Sequence, residues 1–366
     1  MRTLVGWGLV LVMAPCPVRI LAAQERTTVG GYGEVHYTNP TGPKTPPVVN
    51  LARFVVYLAH SFDDRLAFRS ELEVEDAKIE GGQAGGEVAL EQAYLDCRLA
   101  DWITLRTGLV LAPVGIINET HEPPTFNGVD RPGFDHDVIP TTWREIGVGA
   151  VGTIPGGSGL AYRVYLVNGL RADGLSAGAG IREGRQEGRQ ASFANPSVTG
   201  RLEWARPGLK IGASFWYGGT ADTNTAVGSG TFGAPVALVS ADARFETGPV
   251  ALRAEVATIS VSDAQEINAA YGRSVGSRIA GGYLEAAYKV RHTKLNGFVR
   301  HERYDTQAGV PAGATRDRSL ARRITTLGVT YKPTWNTAFK GDYALLRNAA
   351  GVGESEVLSL GLGYQF

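Results

Sequence analysis

The chain is poor in cysteine and has no net charge: 366 residues carry two cysteines, 36 basic and 36 acidic residues. Of Cys16 and Cys97, the first falls in an N-terminal export segment, so the mature chain keeps one thiol and cannot close an intramolecular disulfide. A lone Cys97 without a paired histidine is a poor nucleophile and suits a lipid-facing position. Removing the export segment takes Arg2 and Arg19 and leaves 34 basic against 36 acidic residues. A nucleic-acid partner would call for a basic surplus, so that class is excluded. After the export segment no run approaches the ~20 apolar residues of a transmembrane helix. No G-x-S-x-G or H-E-x-x-H occurs, which removes the commonest hydrolase signatures. No lysine stands between Lys78 and Lys210.

What is present is glycine, 48 of 366 residues, about 13% against a usual ~7%. Arg2, the apolar run Leu4 to Ala14 and the small residues at Leu21, Ala22 and Ala23 have the layout of a cleaved export signal. The expected division is a signal peptide at 1–23 and one membrane domain at 24–366. At the other end, Leu358, Leu360, Leu362, Tyr364 and Phe366 share one strand face, and Ser359, Gly361, Gly363 and Gln365 share the other. Period-two alternation is what a sheet needs between an apolar medium and water. Without apolar helices, only a closed barrel pairs every backbone group inside lipid.

Segments of about ten alternating residues, separated by turn chemistry, number sixteen. They begin near Gly30, Leu51, Arg65, Val88, Trp102, Arg144, Leu160, Val198, Leu209, Val236, Val250, Ile279, Leu295, Arg323, Thr337 and Val357. Seven connections are short, such as Asp63-Asp64, Arg206 to Gly208 and Thr247 to Pro249. Eight are long, at 39–50, 77–87, 112–143, 168–197, 218–235, 260–278, 305–322 and 348–355. The alternation predicts an all-β, antiparallel transmembrane barrel with both termini on the short-turn side. Sixteen strands enclose an aqueous lumen. The faces agree: Leu66, Phe68, Leu72 and Val74 alternate with Arg69, Glu71, Glu73 and Glu75. Aromatics near strand ends (Trp102, Trp204, Trp216, Tyr217, Tyr288, Tyr331, Trp335) fit interfacial girdles.

The segments Gly30–Tyr37 (GGYGEVHY), Gly86–Leu99 (GEVALEQAYLDCRL), Pro113–Pro132 (PVGIINETHEPPTFNGVDRP) and Pro140–Glu145 (PTTWRE), with the terminal Phe366, carry a resemblance. The chain resembles the sixteen-stranded Gram-negative outer-membrane porins, nearest to the phosphate-selective porin O/P-like group. That resemblance implies a homotrimer in lipid and lipopolysaccharide, placed by the outer-membrane assembly machinery through Phe366, with a third loop folded into the lumen. It implies passive passage of small hydrophilic solutes, no cofactor, no metal and no catalytic residues.

The third loop would be 112–143. Its candidate constriction residues are Asn118, Glu119, His121, Glu122, Asp130, Arg131, Asp135 and Asp137, with five carboxylates against one arginine. Acidic rings at a narrowing favour cations, and Arg or Lys favour anions. Arg53, Arg69, Arg106, Arg163, Arg201, Arg253 and Arg300 are the candidate wall cations. Glu71, Glu73, Glu203, Glu255, Glu302, Lys340 and Asp342 line the same face, and several acids stand two residues from an arginine and offset it. The expectation is a general or mildly cation-favouring pore; the alternatives are an anion- or phosphate-selective pore using the lumen arginines and, behind it, an outer-membrane barrel enzyme. GVGAVG at Gly147–Gly152 matches G-x-G-x-x-G but lacks the strand–helix context that motif needs. His121-Glu122 and Asp135-His136-Asp137 read as solvated loop side chains rather than metal ligands. Arg182, Arg185 and Arg189 read as a solvated fourth loop.

Overall fold

The structure is a computed structural model that describes residues 26–41, 45–77, 86–220 and 233–366. The expected signal peptide and Lys78 lie outside the described residues. Sixteen strands are present among those described: β1 Arg26–Pro40, β2 Val48–Ser61, β3 Leu66–Glu75, β4 Val88–Ala100, β5 Ile103–Leu111, β6 Arg144–Thr153, β7 Leu160–Val167 and β8 Ser197–Arg206. The second half is β9 Leu209–Gly218, β10 Val236–Thr247, β11 Val250–Val261, β12 Arg278–Lys289, β13 Leu295–Gly309, β14 Ala321–Thr334, β15 Thr337–Asn348 and β16 Ser355–Gln365. Each pairs antiparallel with its sequence neighbours, and β1 closes on β16 from Tyr32↔Gln365 to Pro40↔Val357. Closure leaves no sheet edge. Every expected strand is found, β1 beginning four residues before the expected Gly30.

The short turns follow from local chemistry. Asp63 accepts from the backbone N–H of Arg65 and of Leu66, both at 2.7 Å, and so folds the β2–β3 turn. Gly208 and Gly248, with φ of 77° and 54°, take left-handed positions that favour glycine at the β8–β9 and β10–β11 turns. GVGAVG lies on β6, where it pairs with β5 and β7.

Alternation holds along the outer wall. Leu72, Leu90, Leu202, Val239, Val256, Leu284, Leu327 and Leu360 are exposed, and their inward neighbours Glu71, Glu73, Arg201, Glu255, Glu285, Thr326 and Ser359 are buried. No described helix is long and apolar enough to cross a membrane.

The lumen corrects the expectation of a uniformly wet interior. On β11 the inward series Arg253, Glu255, Ala257, Ile259, Val261 changes from charged to apolar toward the long-loop rim. Similar apolar inward positions on β7, β9, β10 and β12 pack against loops that fold inward. The resulting cluster joins Phe134, Ile139 and Trp143 of the 112–143 loop to Leu170, Leu175 and Ile181 of the 168–196 loop. Ala264 and Ile267 of a short helix, α2 Ala264–Tyr271, complete it. Trp216 is not in a girdle: it is buried against Trp143 at 4.2 Å between ring centroids. Alternation alone gives Trp216 an inward phase, opposite to Tyr217, which is 59% exposed.

Candidate functional site: the infolded loop and its wall

Residues 112–143 leave β5, cross the lumen and return to β6. A single side chain fastens the neck. Asn118 donates to the carbonyls of Ala112 (2.6 Å) and Trp143 (3.0 Å), and accepts from the N–H of Trp143 (2.7 Å). It is fully buried, so it acts as a clamp and does not face solute.

A loop buried inside a barrel must still satisfy its backbone donors and acceptors. The wall supplies the partners. Glu255 on β11 accepts from the N–H of Ile116 at 3.2 Å, Glu302 on β13 from Phe134 at 2.9 Å, and Asp342 on β15 from Val129 at 2.6 Å. The loop carbonyls are met by cations: Arg300 donates to Asn127 (3.1 Å), Arg253 to Thr125 (3.0 Å) and Lys332 to Pro124 (2.6 Å). Glu285 holds the Asn127 amide at 2.8 Å. The small inner face of β16 makes room: a Cβ on Gly363 would lie 2.4 Å from Pro123, and one on Gly361 2.9 Å from Val129. Lys340 sits 3.7 Å from the centre of the Phe126 ring.

The loop carboxylates are mostly engaged. Glu119 pairs with Arg163 at 3.0 Å, and Glu122 accepts from Tyr57 at 3.4 Å. Asp137 is bonded to Tyr304 (2.8 Å), His136 (2.7 Å) and Arg322. Asp135 is fully buried with neither oxygen hydrogen-bonded. Burial, with the charges of Glu255 and Glu302 adding to it, raises its carboxyl well above the ordinary range. Asp130 differs: its side chain is 66% exposed and lies 3.3 Å from His36. The expectation that Asp135 and Asp137 are solvated is thereby corrected. Both close a helical turn, α1 Phe134–Asp137, against β12 and β13.

His121 is buried between β3 and β4, with Nε2 3.2 Å from Glu91 and 3.5 Å from Glu71. Burial opposes its charge, but Glu91 and Glu71 outweigh burial and its pKa is pushed up to about 10. Arg131 donates to the His121 carbonyl at 3.4 Å.

On the wall, Arg53 pairs with Glu34 (2.7 Å) and reaches Glu73 (3.7 Å). Arg106 makes a two-pronged pair with Asp96 at 2.8 and 2.9 Å, and Arg201 does the same with Asp242 at 2.6 and 2.9 Å. The i, i+2 offsets are realised: Arg201–Glu203 is 3.2 Å and Arg300–Glu302 is 3.0 Å. Arg69 is exposed near the short-turn rim. Arg182 and Arg185 are not a solvated loop. They donate to the carbonyls of Thr141 (2.7 Å) and Thr142 (2.9 Å) and hold the fourth connection onto the third. Glu34, His36, Glu91, Asp96 and Asp242 were missed by motif reading. The phase of strand alternation marks Glu34, His36 and Asp242 as inward, whereas a β-bulge at Glu91 resets the phase of β4 and brings both Glu91 and Asp96 to the inner face.

Two cavities flank the loop. One, of about 500 Å³, lies toward the long loops and mixes Glu34, Glu73, Asp130 and Asp137 with Arg53, Arg131, Arg144 and Arg322. The other, about 520 Å³, carries Arg106, Arg163, Arg201, Lys210 and Arg244 against Glu119 and Glu203.

No family model matches the chain. An uncharacterized protein of Aquifex aeolicus (strain VF5) is 35% identical over 348 residues, covering 90% of this chain and 78% of that protein. Among solved structures, Salmonella typhi OmpF in complex with daunomycin matches with a TM-score of 0.62 and 16% identity, covering 93% of this chain and 97% of its own. The anion-selective porin from Comamonas acidovorans matches with a TM-score of 0.60 and 13% identity, covering 94% and 100%. The chain belongs to one family with the Aquifex aeolicus protein, and its fold is that of the sixteen-stranded Gram-negative outer-membrane porins.

Proposed function

We propose that the protein is an outer-membrane porin through which small hydrophilic solutes and ions pass by diffusion, narrowed by the 112–143 loop. The observation that carries this reading is the combination of an apolar outer wall, a charged inner wall and hydrated-scale cavities on both sides of the infolded loop. The loop's many wall contacts favour a narrow path of low conductance. Selectivity is weak and cation-favouring on this reading. Glu119 and Asp137 are ion-paired and Asp135 is buried, leaving exposed Asp130 and half-buried Glu122 as the main loop carboxylates.

An anion-favouring pore is the second reading, supported by the five cations and two acids around the short-turn cavity. Catalysis is not part of the proposal; most of the wall arginines and several buried acids are engaged in ion pairs and loop anchors. The exported chain is placed in the outer membrane with lipopolysaccharide around it. It assembles as a homotrimer and is delivered by assembly machinery that reads Phe366. Single-channel recording in a planar bilayer tests the reading, with the reversal potential taken under a KCl gradient. Small conductance steps with slight cation preference are expected; strong anion preference selects the second reading, and a silent barrel removes both.

A further inference from the structure

A second chemistry is built where the loop meets β3 and β4. Glu71, Glu91 and His121 come from three separate elements, and each is at most 3% exposed. One ligand atom from each lies within 4.8 Å of the other two. His121 Nδ1 is 3.0 Å from the carbonyl of Asn118, which can only accept, so Nδ1 carries a proton. Nε2 therefore points at Glu91 (3.2 Å) and Glu71 (3.5 Å). Two carboxylates facing Nε2 call for positive charge there, supplied in the metal-free chain by a second ring proton.

Two cations fit there, the second proton and a metal ion that would replace it. Ligands bound at ~2.0–2.1 Å around a tetrahedral zinc are about 3.3–3.4 Å apart, and the two observed contacts bracket that edge. A further observation points the same way. Glu91 is fully buried, yet its Oε1, like Oε1 of Glu71, has no hydrogen-bond partner. The outer contacts resemble those that orient metal ligands: the Asn118 carbonyl on His121, Gln92 on Glu71 at 2.7 Å and Tyr32 on Glu91 at 3.5 Å.

We propose that Glu71, Glu91 and His121 bind one zinc-like divalent ion that clasps the infolded loop to the barrel wall, with a fourth position left for water. One imidazole and two carboxylates favour Zn²⁺ over Ca²⁺, which takes oxygen ligands, and over Cu(I), which takes thiolates. The site rests on its own geometry and not on the conduction reading.

The test uses the full mature chain folded in detergent micelles, stripped with EDTA and re-equilibrated with Zn²⁺ or Co²⁺. One Zn²⁺ per chain is expected by elemental analysis, with the visible absorption of four-coordinate Co²⁺. His121→Gln and Glu91→Gln should each weaken binding by more than about 100-fold, beyond what losing an outer partner costs. His301→Ala, on the outer wall, should leave binding unchanged. No stoichiometric uptake, or uptake equal in His121→Gln, overturns the proposal. Should a variant fail to fold, the wild-type Co²⁺ spectrum still decides: absence of the visible bands refutes the site.

Discussion

A charge placed on the outer wall is the most direct probe of the barrel's lipid-facing phase. Leu284 lies midway along β12 (Arg278–Lys289) and is 68% exposed, while the next residue, Glu285, is 5% exposed and faces the loop. Arginine at the middle of a barrel's lipid face costs about 2–4 kcal/mol, falling to ~0–1 kcal/mol near the interface. Tyr288 shares the outward phase of Leu284 and lies four residues nearer the short-turn rim. Four residues span about 13 Å along a strand at ~3.3 Å each. With a tilt near ~40°, that is about 10 Å of depth, most of the ~12 Å from the centre of a ~25 Å apolar band to its edge. Leu284→Arg should therefore destabilise the barrel by about 3 kcal/mol, and Tyr288→Arg by no more than ~1 kcal/mol. Guanidinium unfolding in phospholipid vesicles, followed by tryptophan fluorescence, measures both. Equal costs at the two positions, or a Leu284→Arg barrel as stable as the parent, would refute the assignment of this face to lipid.

Asn118→Ala removes three hydrogen bonds at the neck of the loop and leaves buried backbone groups unpaired, a loss of about 2 kcal/mol. Protease cleavage within 112–143 should accelerate while the strands stay protected. Trp143→Ala opens a cavity beneath Trp216 and should cost about 3–5 kcal/mol in the same unfolding assay. Asp342→Ala strands the N–H of Val129 and should cost about 1–3 kcal/mol, whereas Asp342→Asn, which keeps an acceptor, should cost less. Glu119→Gln with Glu122→Gln frees Arg163 and should move the reversal potential under a KCl gradient toward anions. An unchanged potential would place the conduction path away from this side of the loop.

The barrel was legible because its physics is local. Each strand reports its two faces through alternation, and the turn residues report where it stops, so Leu358 to Phe366 could be read in isolation. The third loop was legible as an insertion, and Pro123 and Pro124 stiffen it toward a folded state. Its charges misled because their partners lie far away in sequence: Val129 meets Asp342 and Ile116 meets Glu255 only after the barrel closes. A count of carboxylates cannot distinguish Asp130, open to the cavity, from Asp135, enclosed among wall residues. The apolar inner arc was hidden for a related reason. Alternation places Trp216 and Ile259 inward but says nothing of a loop arriving to cover them.

That arrangement sets how lumen charge should be read. A loop crossing a barrel brings backbone N–H groups into a space where the wall strands, already paired with each other, offer only side chains as acceptors. Glu255, Glu302 and Asp342 fill that need, and Arg300, Arg253 and Lys332 do the same for the loop's carbonyls. Neutralising one of these groups changes loop packing before it changes the field felt by a solute, so selectivity measured on such a variant mixes two effects. Asp130 and Arg69 are better probes, because both are exposed and neither anchors the loop backbone through its side chain. Asp130→Asn and Arg69→Gln should move ion preference in opposite directions, by amounts screened over ~8–10 Å at physiological salt, with no change in the unfolding midpoint. A midpoint shift with either would mean that these charges also hold the loop.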